Sequence, residues 1–329
     1  MTARIDRLAN EFRSGVAFVV TRYGLPVSAW NSLVPVTKVY EDQFGWAVTN
    51  LVPFDGSAFQ MFWPLLWSDE QDRGTMQTAL QNFLYTAVDF SNRNGIPGFV
   101  SASAVPEGGY QGKNGIPEAA ETDERLLSNV GSIYALASAY VLNPGLVISW
   151  LKAIFEQYPE LVTSLGFVDS LRSAREFSDV VNAIDQGSSI LGLLGSGGNF
   201  MERYLENRNL ALPYQALYNG LNLGIQAVNA QPGGPPAEFP ERSFALINNV
   251  EQEGTLGNTP CVNGNCIDTD VFGTRIRYIG DASTLAGHFW KLDETYNARN
   301  HELIISYSGP AVPGQFTIEL KDQSDVLIA

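Results

Sequence analysis

The chain of 329 residues has little positive charge, few cysteines and few histidines. Only 20 lysine and arginine residues stand against 35 aspartate and glutamate residues, which gives a formal net charge of −15. A nucleic-acid binder has to neutralise phosphates with a basic face, and an anionic lipid surface would repel so acidic a protein. The scarcity of basic residues therefore argues against nucleic-acid and membrane-surface partners and leaves neutral ligands open.

Long apolar runs are also missing. No run reaches the roughly 18 residues that a membrane-spanning helix requires, and residues 1–13 carry charges where a signal peptide would have its apolar core. We therefore expect no membrane span. The protein is either cytoplasmic or has an export signal outside this chain.

The only two cysteines, Cys261 and Cys266, lie in the turn-like segment CVNGNC. This position predicts a disulfide that closes a small loop, worth about 2 kcal/mol, and so favours an extracellular or periplasmic location. The alternative is a metal site completed by His288 and His301, but the spacing matches no common zinc pattern. We expect neither a metal ion nor another cofactor.

The first part of the chain has the apolar spacing of helices. Helices are predicted from Ile5 to Gly24, over 76–93, over 132–142, after Asn143-Pro144, over 177–191, in 200–207 and in 213–222. The first-turn signal Asn143-Pro144 follows its preceding helix so closely that we expect an antiparallel helical hairpin there.

The chain changes character near residue 235. The segment QPGGPPAEFP (231–240) predicts a linker. Beyond it, apolar residues alternate with period two, and strands are predicted over 243–250, 274–280, 287–292, 303–307 and 316–320. We therefore expect a multidomain chain, with a helical domain over 1–230 and an all-β sandwich module over 241–329. That module is expected to be incomplete, because the chain stops in a strand-like run.

Common catalytic motifs are absent from the sequence: it contains no G-x-S-x-G, no phosphate-binding glycine loop and no H-E-x-x-H. The helical part instead offers carboxylates and aromatic rings beside glycine-rich loops. Four of the six tryptophans, Trp30, Trp46, Trp63 and Trp67, lie in the first part of the helical domain. Carboxyl pairs perform glycosyl transfer and sugars stack on aromatic rings, although a tryptophan in a helical domain is more often part of the core.

Five segments occur in this order: FDGSAFQMFWPLLW (54–67), GIPGFVSASAVPEGGYQGKNGIPEAA (95–120), SIYALASAYVLNPGLVISWLKAIFE (132–156), LGFVDSL (165–171) and NAIDQGSSILGLL (182–194). They resemble the conserved blocks of the bacterial glucoamylase-like family, which includes the endo-β-1,2-glucanases of glycoside hydrolase family 144. The transglycosylating domain of cyclic β-1,2-glucan synthases looks related. The resemblance covers about residues 45–195 and implies an (α/α)6 toroid with a substrate cleft at one end.

The resemblance also bears on the extent of the fold. A toroid of twelve helices needs about 350 residues at about 12 per helix plus connections, and the helical domain supplies about eight helices. We therefore expect a partial toroid, either because this chain is a fragment or because another chain completes the toroid. The β module, especially PGQFTIELKD (313–322), resembles jelly-roll carbohydrate-binding modules.

Three acids are the candidate catalytic residues. The family has an acid at the position of Asp169, whose alternative role is a helix cap or loop acid. Asp185 in AIDQG also matches the family, and Gly187 beside it suggests close packing or ligand approach. Asp185 is either a cleft acid or a hydrogen-bonding anchor between helices. Glu107 in PEGGYQG lies on a loop that is either a substrate contact or a solvated tip.

The expected substrate-binding residues are Gln60, Tyr110, Asp55, Trp63 and Gln186. Gln60 and Ala102 stand where the synthase-like branch has glutamate, and the glucanase branch also lacks an acid at the position of Ala102. A glutamine can still hydrogen-bond a sugar hydroxyl but cannot transfer a proton at neutral pH. Tyr110 has the same loop-tip alternative as Glu107, and Asp55 is alternatively part of a plain Asp-Gly turn.

The leading hypothesis is a glycoside hydrolase or transglycosylase that acts on a β-glucan, with an oligo- or polysaccharide as its partner. One carboxylic acid would protonate the leaving oxygen while a carboxylate activates water or attacks the anomeric carbon. The first alternative is a non-catalytic glycan-binding or surface protein on the same scaffold, suggested by Gln60 and Ala102. The second is a polysaccharide lyase with Tyr110 as its base.

Overall fold

The computed structural model describes residues 5–124, 126–172, 176–195 and 197–239, and three strands within 266–291. The described residues fall into two compact units. The first unit contains the described residues up to 239, and the second contains the three strands.

The helices of the first unit, in chain order, are α1 (Arg13–Tyr23), α2 (Ser28–Asn31), α3 (Ala58–Phe62), α4 (Gly74–Arg93), α5 (Ile133–Ser138), α6 (Pro144–Gln157), α7 (Ala183–Leu194), α8 (Gly197–Glu206) and α9 (Ala211–Asn219). Short 3-10 helices span Trp63–Leu66, Glu70–Asp72, Pro117–Ala119 and Pro159–Leu161. Within the described part of the chain, no helix is long and apolar enough to cross a lipid bilayer.

The first unit also contains short strands: β1 (Thr37–Glu41), β2 (Ala47–Leu51), β3 (Phe99–Val100), β4 (Ser103–Ala104), β5 (Tyr110–Gln111), β6 (Gly131–Ser132), β7 (Val162–Thr163), β8 (Gly166–Phe167), β9 (Ser170–Arg172) and β10 (Glu176–Phe177). They form an antiparallel sheet of order β10-β9-β6-β3 and the antiparallel pairs β1-β2, β4-β5 and β7-β8. The unit is therefore helical with small sheets, which corrects the all-α prediction. Pairing of these extended segments satisfies backbone groups that the long loops would otherwise leave without partners.

The second unit is an antiparallel meander of β11 (Cys266–Val271), β12 (Thr274–Asp281) and β13 (Thr284–Lys291). The strands predicted over 274–280 and 287–292 coincide with β12 and most of β13. The other predicted strands and Cys261 of the predicted disulfide lie outside the described residues, so the sandwich and the disulfide stay predictions.

Two helices follow their sequence signals closely. The residues of α4 that carry the predicted apolar spacing are all buried, and the chain turns at Gly95 with a φ of +61°, where the sequence predicts the helix to end. The α6 helix begins at Pro144, and the Asn143 side chain accepts a hydrogen bond from the backbone N–H of Leu146 at 3.1 Å. Both predictions are confirmed.

Two other helices are shorter than their apolar spacing predicts. The α1 helix begins only at Arg13, because the preceding segment bridges to Val34 at Arg7 and then bends and turns, with the N–H of Leu8 bonded to the carbonyl of Val34 at 3.0 Å. Phe177 lies in β10, and α7 begins after Asn182, whose side chain accepts from the N–H of Ile184 at 3.2 Å. A local cap thus outweighs the longer apolar pattern.

A buried ion pair joins α1 to the core. The guanidinium of Arg13 lies 2.7 Å from the carboxylate of Glu70, and both side chains are fully buried. Arg13 also donates to the carbonyls of Gln60 at 2.8 Å and Met61 at 2.6 Å, while the Tyr218 hydroxyl donates to Glu70 at 2.8 Å. The network fixes α1, α3 and α9 around one buried charge pair, whose polar groups are satisfied as burial requires.

Candidate active site

Asp169 lies between β8 and β9 and is held from two directions. Its backbone N–H bonds to the carbonyl of Val180 at 2.8 Å, and one carboxyl oxygen accepts from the N–H of Ala104 in β4 at 2.6 Å. The side chain is only 2% exposed. Its other oxygen, Oδ1, is buried and receives no hydrogen-bond donor from the described residues. A buried acceptor of this kind usually has a donor as its neighbour.

Asp185 supplies that neighbour. It lies in the first turn of α7, it is 7% exposed, and its own Oδ2 is buried with no donor from the described part of the chain. Asp169 lies close enough to Asp185 to raise the pKa of its carboxyl. Two ionised carboxylates have acceptors only, so a hydrogen bond between them needs one of the two to be protonated. The structure therefore places Asp169 and Asp185 together as an acid pair, and Asp185 is the member whose pKa is raised.

The environment places the proton on Asp185 at neutral pH. Burial, followed by the hydrogen bond with Asp169 and the negative charge of that residue, raises the pKa of Asp185 to about 9. A hydrogen bond with the Asn182 side chain acts in the opposite direction. Desolvation and a neighbouring like charge both disfavour an ionised carboxylate. A carboxyl that remains protonated at neutral pH is able to act as a general acid.

Gln186 holds the segment that carries Asp169. Its amide oxygen accepts from the N–H of Phe167 at 2.9 Å, and its amide nitrogen donates to the carbonyl of Phe167 at 2.8 Å. Gly166 has a φ of +125°, and a Cβ there would lie 2.3 Å from the amide oxygen of Gln186. We call Gly166, Phe167 and Gln186 the amide clamp. The clamp engages both the oxygen and the nitrogen of the Gln186 amide, and the sugar contact expected of Gln186 stays a prediction.

The negative charges of four carboxyl groups act on the phenol of Tyr110 in β5. The tyrosine is 64% exposed, yet partial burial and the negative charges of Asp185, Asp169, Asp55 and Glu11 raise its pKa. Three of these acids and Tyr110 itself were predicted site residues, and the fold brings them together. Glu11 precedes α1 and lies outside the region of family resemblance, so no sequence signal identified it.

Asp55 forms the predicted Asp-Gly turn and also faces this group of acids. Its carboxylate accepts from the N–H of Ser57 at 3.0 Å, and Gly56 has a φ of +68°. The backbone of Gly56 bonds to the N–H of Ile116 at 3.1 Å, so the turn is packed tightly. Burial raises the pKa of Asp55 to about 6. Asp55 is therefore mostly ionised at neutral pH, unlike Asp185.

Glu107 has a different partner. It forms an ion pair with Arg172, which also pairs with Glu176 at 2.9 Å. The guanidinium neutralises Glu107, and the structure does not bring its carboxyl into the acid pair. Glu107 lies on the loop before β5, and its ion pair with Arg172 links this loop to β9.

Gln60 and Trp63 lie on and just after α3. The amide oxygen of Gln60 is buried and accepts no hydrogen bond from the described residues, so the sugar contact expected of Gln60 stays a prediction. Trp63 packs against Phe59 and Trp67, with ring centroids 4.6 Å and 5.5 Å apart. Trp63 thus belongs to a half-buried aromatic cluster rather than to an isolated platform.

The described ranges contain no group of side chains that is suited to bind a metal ion. No three or more histidine, cysteine, aspartate or glutamate side chains are grouped there in a way that could hold a metal ion. The described carboxylates instead engage protons, backbone N–H groups and guanidinium groups.

Comparison with known proteins shows likeness in structure. No family model and no curated protein matches the chain. Two structures of endo-β-1,2-glucanase from Talaromyces funiculosus, a mutant with β-1,2-glucan and an enzyme with sophorose, share its fold with TM-scores of 0.61 and 0.62. Both are 16% identical, over 74% of this chain and 52% of theirs.

A protein from Bacteroides caccae, assigned as a glucoamylase, shares the fold with a TM-score of 0.50 at 15% identity, over 65% of this chain and 55% of that one. The chain therefore spans about half the length of the solved structures it matches. These likenesses confirm the predicted glucoamylase-like helical architecture at the level of the fold.

Proposed function

We propose that the protein is a carbohydrate-active enzyme that hydrolyses or transfers glycosidic bonds of a β-glucan, with Asp185 as its proton donor. The observation that carries this proposal is the pair of buried carboxyls Asp169 and Asp185, where burial and the neighbouring acid raise the pKa of Asp185 to about 9. The fold supports it, because similar structures are those of an endo-β-1,2-glucanase, determined with β-1,2-glucan and with sophorose.

The acid pair acts as one unit in this proposal. Glycosidases place two carboxyl groups about 5–5.5 Å or about 6.5–9.5 Å apart, on opposite sides of the scissile bond. Asp169 acts on Asp185 as an immediate neighbour, so we do not place these two acids on opposite sides of a scissile bond. Asp185 is the more exposed of the two. We therefore assign proton donation to Asp185 and a positioning role to Asp169.

The surroundings of the pair suit loss of the proton during the reaction. When Asp185 protonates the glycosidic oxygen, a second negative charge forms on the pair. The N–H of Ala104 already donates to Asp169, and Asp185 lies in the first turn of the 12-residue helix α7. The positive end of a helix dipole stabilises a carboxylate in that turn.

Asp55 is our candidate for the second carboxylate. It is ionised at neutral pH, since its pKa is raised only to about 6, and its charge acts on the same Tyr110 phenol as the acid pair. In the proposed reaction Asp55 activates water or attacks the anomeric carbon. Tyr110, which is 64% exposed, would contact the sugar.

The test is release of reducing sugar from a panel of β-1,2-, β-1,3- and β-1,4-glucans. We expect release by the unmodified chain and a loss of at least about 100-fold in Asp185→Asn, the lower range for a general acid. The matched control is Asp89→Asn, because Asp89 is also buried on a helix but accepts from the Tyr40 hydroxyl at 2.6 Å. Full turnover in Asp185→Asn would refute the assignment.

Glucan binding without any release would instead support a non-catalytic glycan-binding protein. The lyase alternative has less support. A catalytic tyrosine base needs a lowered pKa, whereas burial and four neighbouring carboxyls raise the pKa of Tyr110.

A further inference from the structure

An open groove of about 620 Å³ lies between the β1-β2 hairpin and the segment 224–229. Trp46 and Thr49 line one wall, and Gln226 and Asn229 line the other. No ionisable side chain lines the groove, and none of the residues of the acid-pair site does. Its volume falls within the range of about 300–1,000 Å³ that is typical of small-molecule sites.

The indole of Trp46 is presented on a fixed turn. Trp46 is 53% exposed, whereas Trp30 is buried and Trp63 and Trp67 pack on each other. The carboxylate of Asp42 accepts from the N–H groups of Phe44 and Trp46, each at 2.8 Å, and also from the Tyr85 hydroxyl at 2.6 Å. These hydrogen bonds attach the turn to α4. About half of the Trp46 side chain is exposed to solvent.

One buried side chain fixes both walls of the groove. Asn82 in α4 is fully buried. Its amide nitrogen donates to the carbonyl of Thr49 at 2.8 Å and to that of Gln226 at 2.7 Å, and its amide oxygen accepts from the N–H of Val228 at 2.9 Å. The groove is therefore preformed, which lowers the entropic cost of binding a ligand.

We infer that this groove is a second binding site for a neutral glycan, separate from the acid pair. A sugar ring offers an apolar C–H face to an indole and hydroxyls to amide and hydroxyl side chains, and the groove supplies these three groups. Its uncharged lining and the net charge of −15 disfavour an anionic ligand. The inference rests on the proposed function for the identity of the glycan, a β-glucan segment.

The decisive experiment compares Trp46→Ala with Phe44→Ala. Phe44 lies on the same turn and is 73% exposed, but it does not line the groove. Binding of β-1,2-glucan oligosaccharides is measured by calorimetry in an Asp185→Asn background, where turnover does not interfere. We expect Trp46→Ala to weaken the groove's affinity by about 10-fold, the size of one lost aromatic stacking contact. Phe44→Ala should bind as the parent does.

Gln226→Ala provides a second variant. Asn82 bonds to the backbone carbonyl of Gln226, so removal of the exposed Gln226 side chain leaves that hydrogen bond in place. It should weaken binding by about 3-fold, the loss of one solvent-exposed hydrogen bond. Equal losses in Trp46→Ala and Phe44→Ala, or unchanged binding in Trp46→Ala, would overturn the inference.

The readout also separates the two proposals. If the unmodified chain binds the oligosaccharide through Trp46 but releases no sugar from any glucan, the hydrolytic proposal fails and the groove remains. If the chain releases sugar and Trp46→Ala binds as tightly as the parent, the inference about the groove fails and the proposal about the acid pair stands.

Discussion

Two helices of the first unit, α4 and α7, differ in whether their large apolar residues are buried. The α4 helix buries an apolar stripe that includes Leu80, Phe83 and Leu84, all fully buried. The residues that α7 buries are Asp185, Ser188, Ser189 and Gly192. Four of its apolar residues face outward, with exposed fractions of 56% for Ile184, 58% for Ile190, 41% for Leu191 and 67% for Leu194, while Leu193 packs partly against the core. One helix thus follows the usual rule for amphipathic helices and the other reverses it.

The reversal in α7 has a local explanation. The hydroxyls of Ser188 and Ser189 donate to the carbonyls of Ile184 and Asp185, at 2.6 Å and 2.8 Å, so they need no partners outside the helix. A Cβ on Gly192 would lie 2.4 Å from the carbonyl oxygen of Ala137, which shows how closely α7 approaches α5. Small, internally satisfied residues allow this approach, and the approach buries Asp185. The inward face of α7 therefore consists of small and polar residues, with Asp185 among them.

The largest contrast is expected between the buried acids of the two helices. Asp185→Asn should lower turnover on the active glucan by at least about 100-fold, while Asp89→Asn in α4 should lower the free energy of unfolding by about 1–3 kcal/mol and leave turnover in place. The measurements are initial rates and urea unfolding. A large rate loss in Asp89→Asn would remove the distinction between the two helices.

The same pair of variants has a pH signature. Because the pKa of Asp185 is raised in the folded state, its contribution to stability is full below about pH 4, the unfolded pKa, and falls as the pH rises through about 9. Asn cannot lose this proton. The stability of Asp185→Asn relative to the parent should therefore increase between these pH values, and a constant difference would contradict the raised pKa.

Truncation of apolar residues should give the next largest contrast. Leu84→Ala in α4 removes a fully buried side chain and should cost about 2–5 kcal/mol in unfolding free energy. Leu194→Ala in α7 removes a side chain that is 67% exposed and should change it by no more than about 0.5 kcal/mol. Chemical unfolding of both variants checks this, and equal costs would show that the outward face of α7 is covered in solution.

Two glycines of α7 allow a matched test within one helix. A Cβ at Gly187 would meet nothing within 4 Å, which corrects the expectation of close protein packing at that residue. Gly187→Ala should therefore stabilise the fold by up to about 1 kcal/mol. Gly192→Ala should destabilise it by about 1–3 kcal/mol, because α7 must move away from α5. Thermal unfolding distinguishes the two, and the opposite order would contradict the packing of α7 on α5.

The smallest expected effect concerns the amide clamp. Gln186→Ala removes both hydrogen bonds to Phe167 and should loosen the segment that carries Asp169. We expect the alkaline limb of the pH–rate profile to move down by about 1 unit, equivalent to about 1.4 kcal/mol of differential interaction. KM should change little, since the amide does not contact substrate in the proposal. A rise in KM with an unchanged pH profile would instead identify Gln186 as a sugar ligand.

Sequence reasoning reached the parts of the molecule that depend on local signals. The α4 and α6 helices carry regular apolar spacing and defined ends, and Asp169 and Asp185 were identified through family resemblance. The reversed face of α7 was not foreseen, because its apolar spacing continues that of Phe177, which pairs in β10.

Contacts between distant segments were also beyond the sequence. Asn82 reads as an ordinary polar residue of a helix, yet it connects Thr49 to the segment near Gln226. Glu11 joins the acids around Tyr110 only because the fold brings the start of α1 to them. The raised pKa of Asp185 itself depends on burial, which no spacing of residues encodes.

The most direct measurement is a carbon NMR titration of the Asp185 carboxyl in the unmodified chain and in Asp169→Asn. The account predicts that Asp185 remains protonated at pH 7 and titrates near 9 in the unmodified chain, and that its pKa falls when Asp169 loses its negative charge. A carboxyl that is already ionised at pH 7, or one whose titration ignores the change at residue 169, would contradict the acid pair.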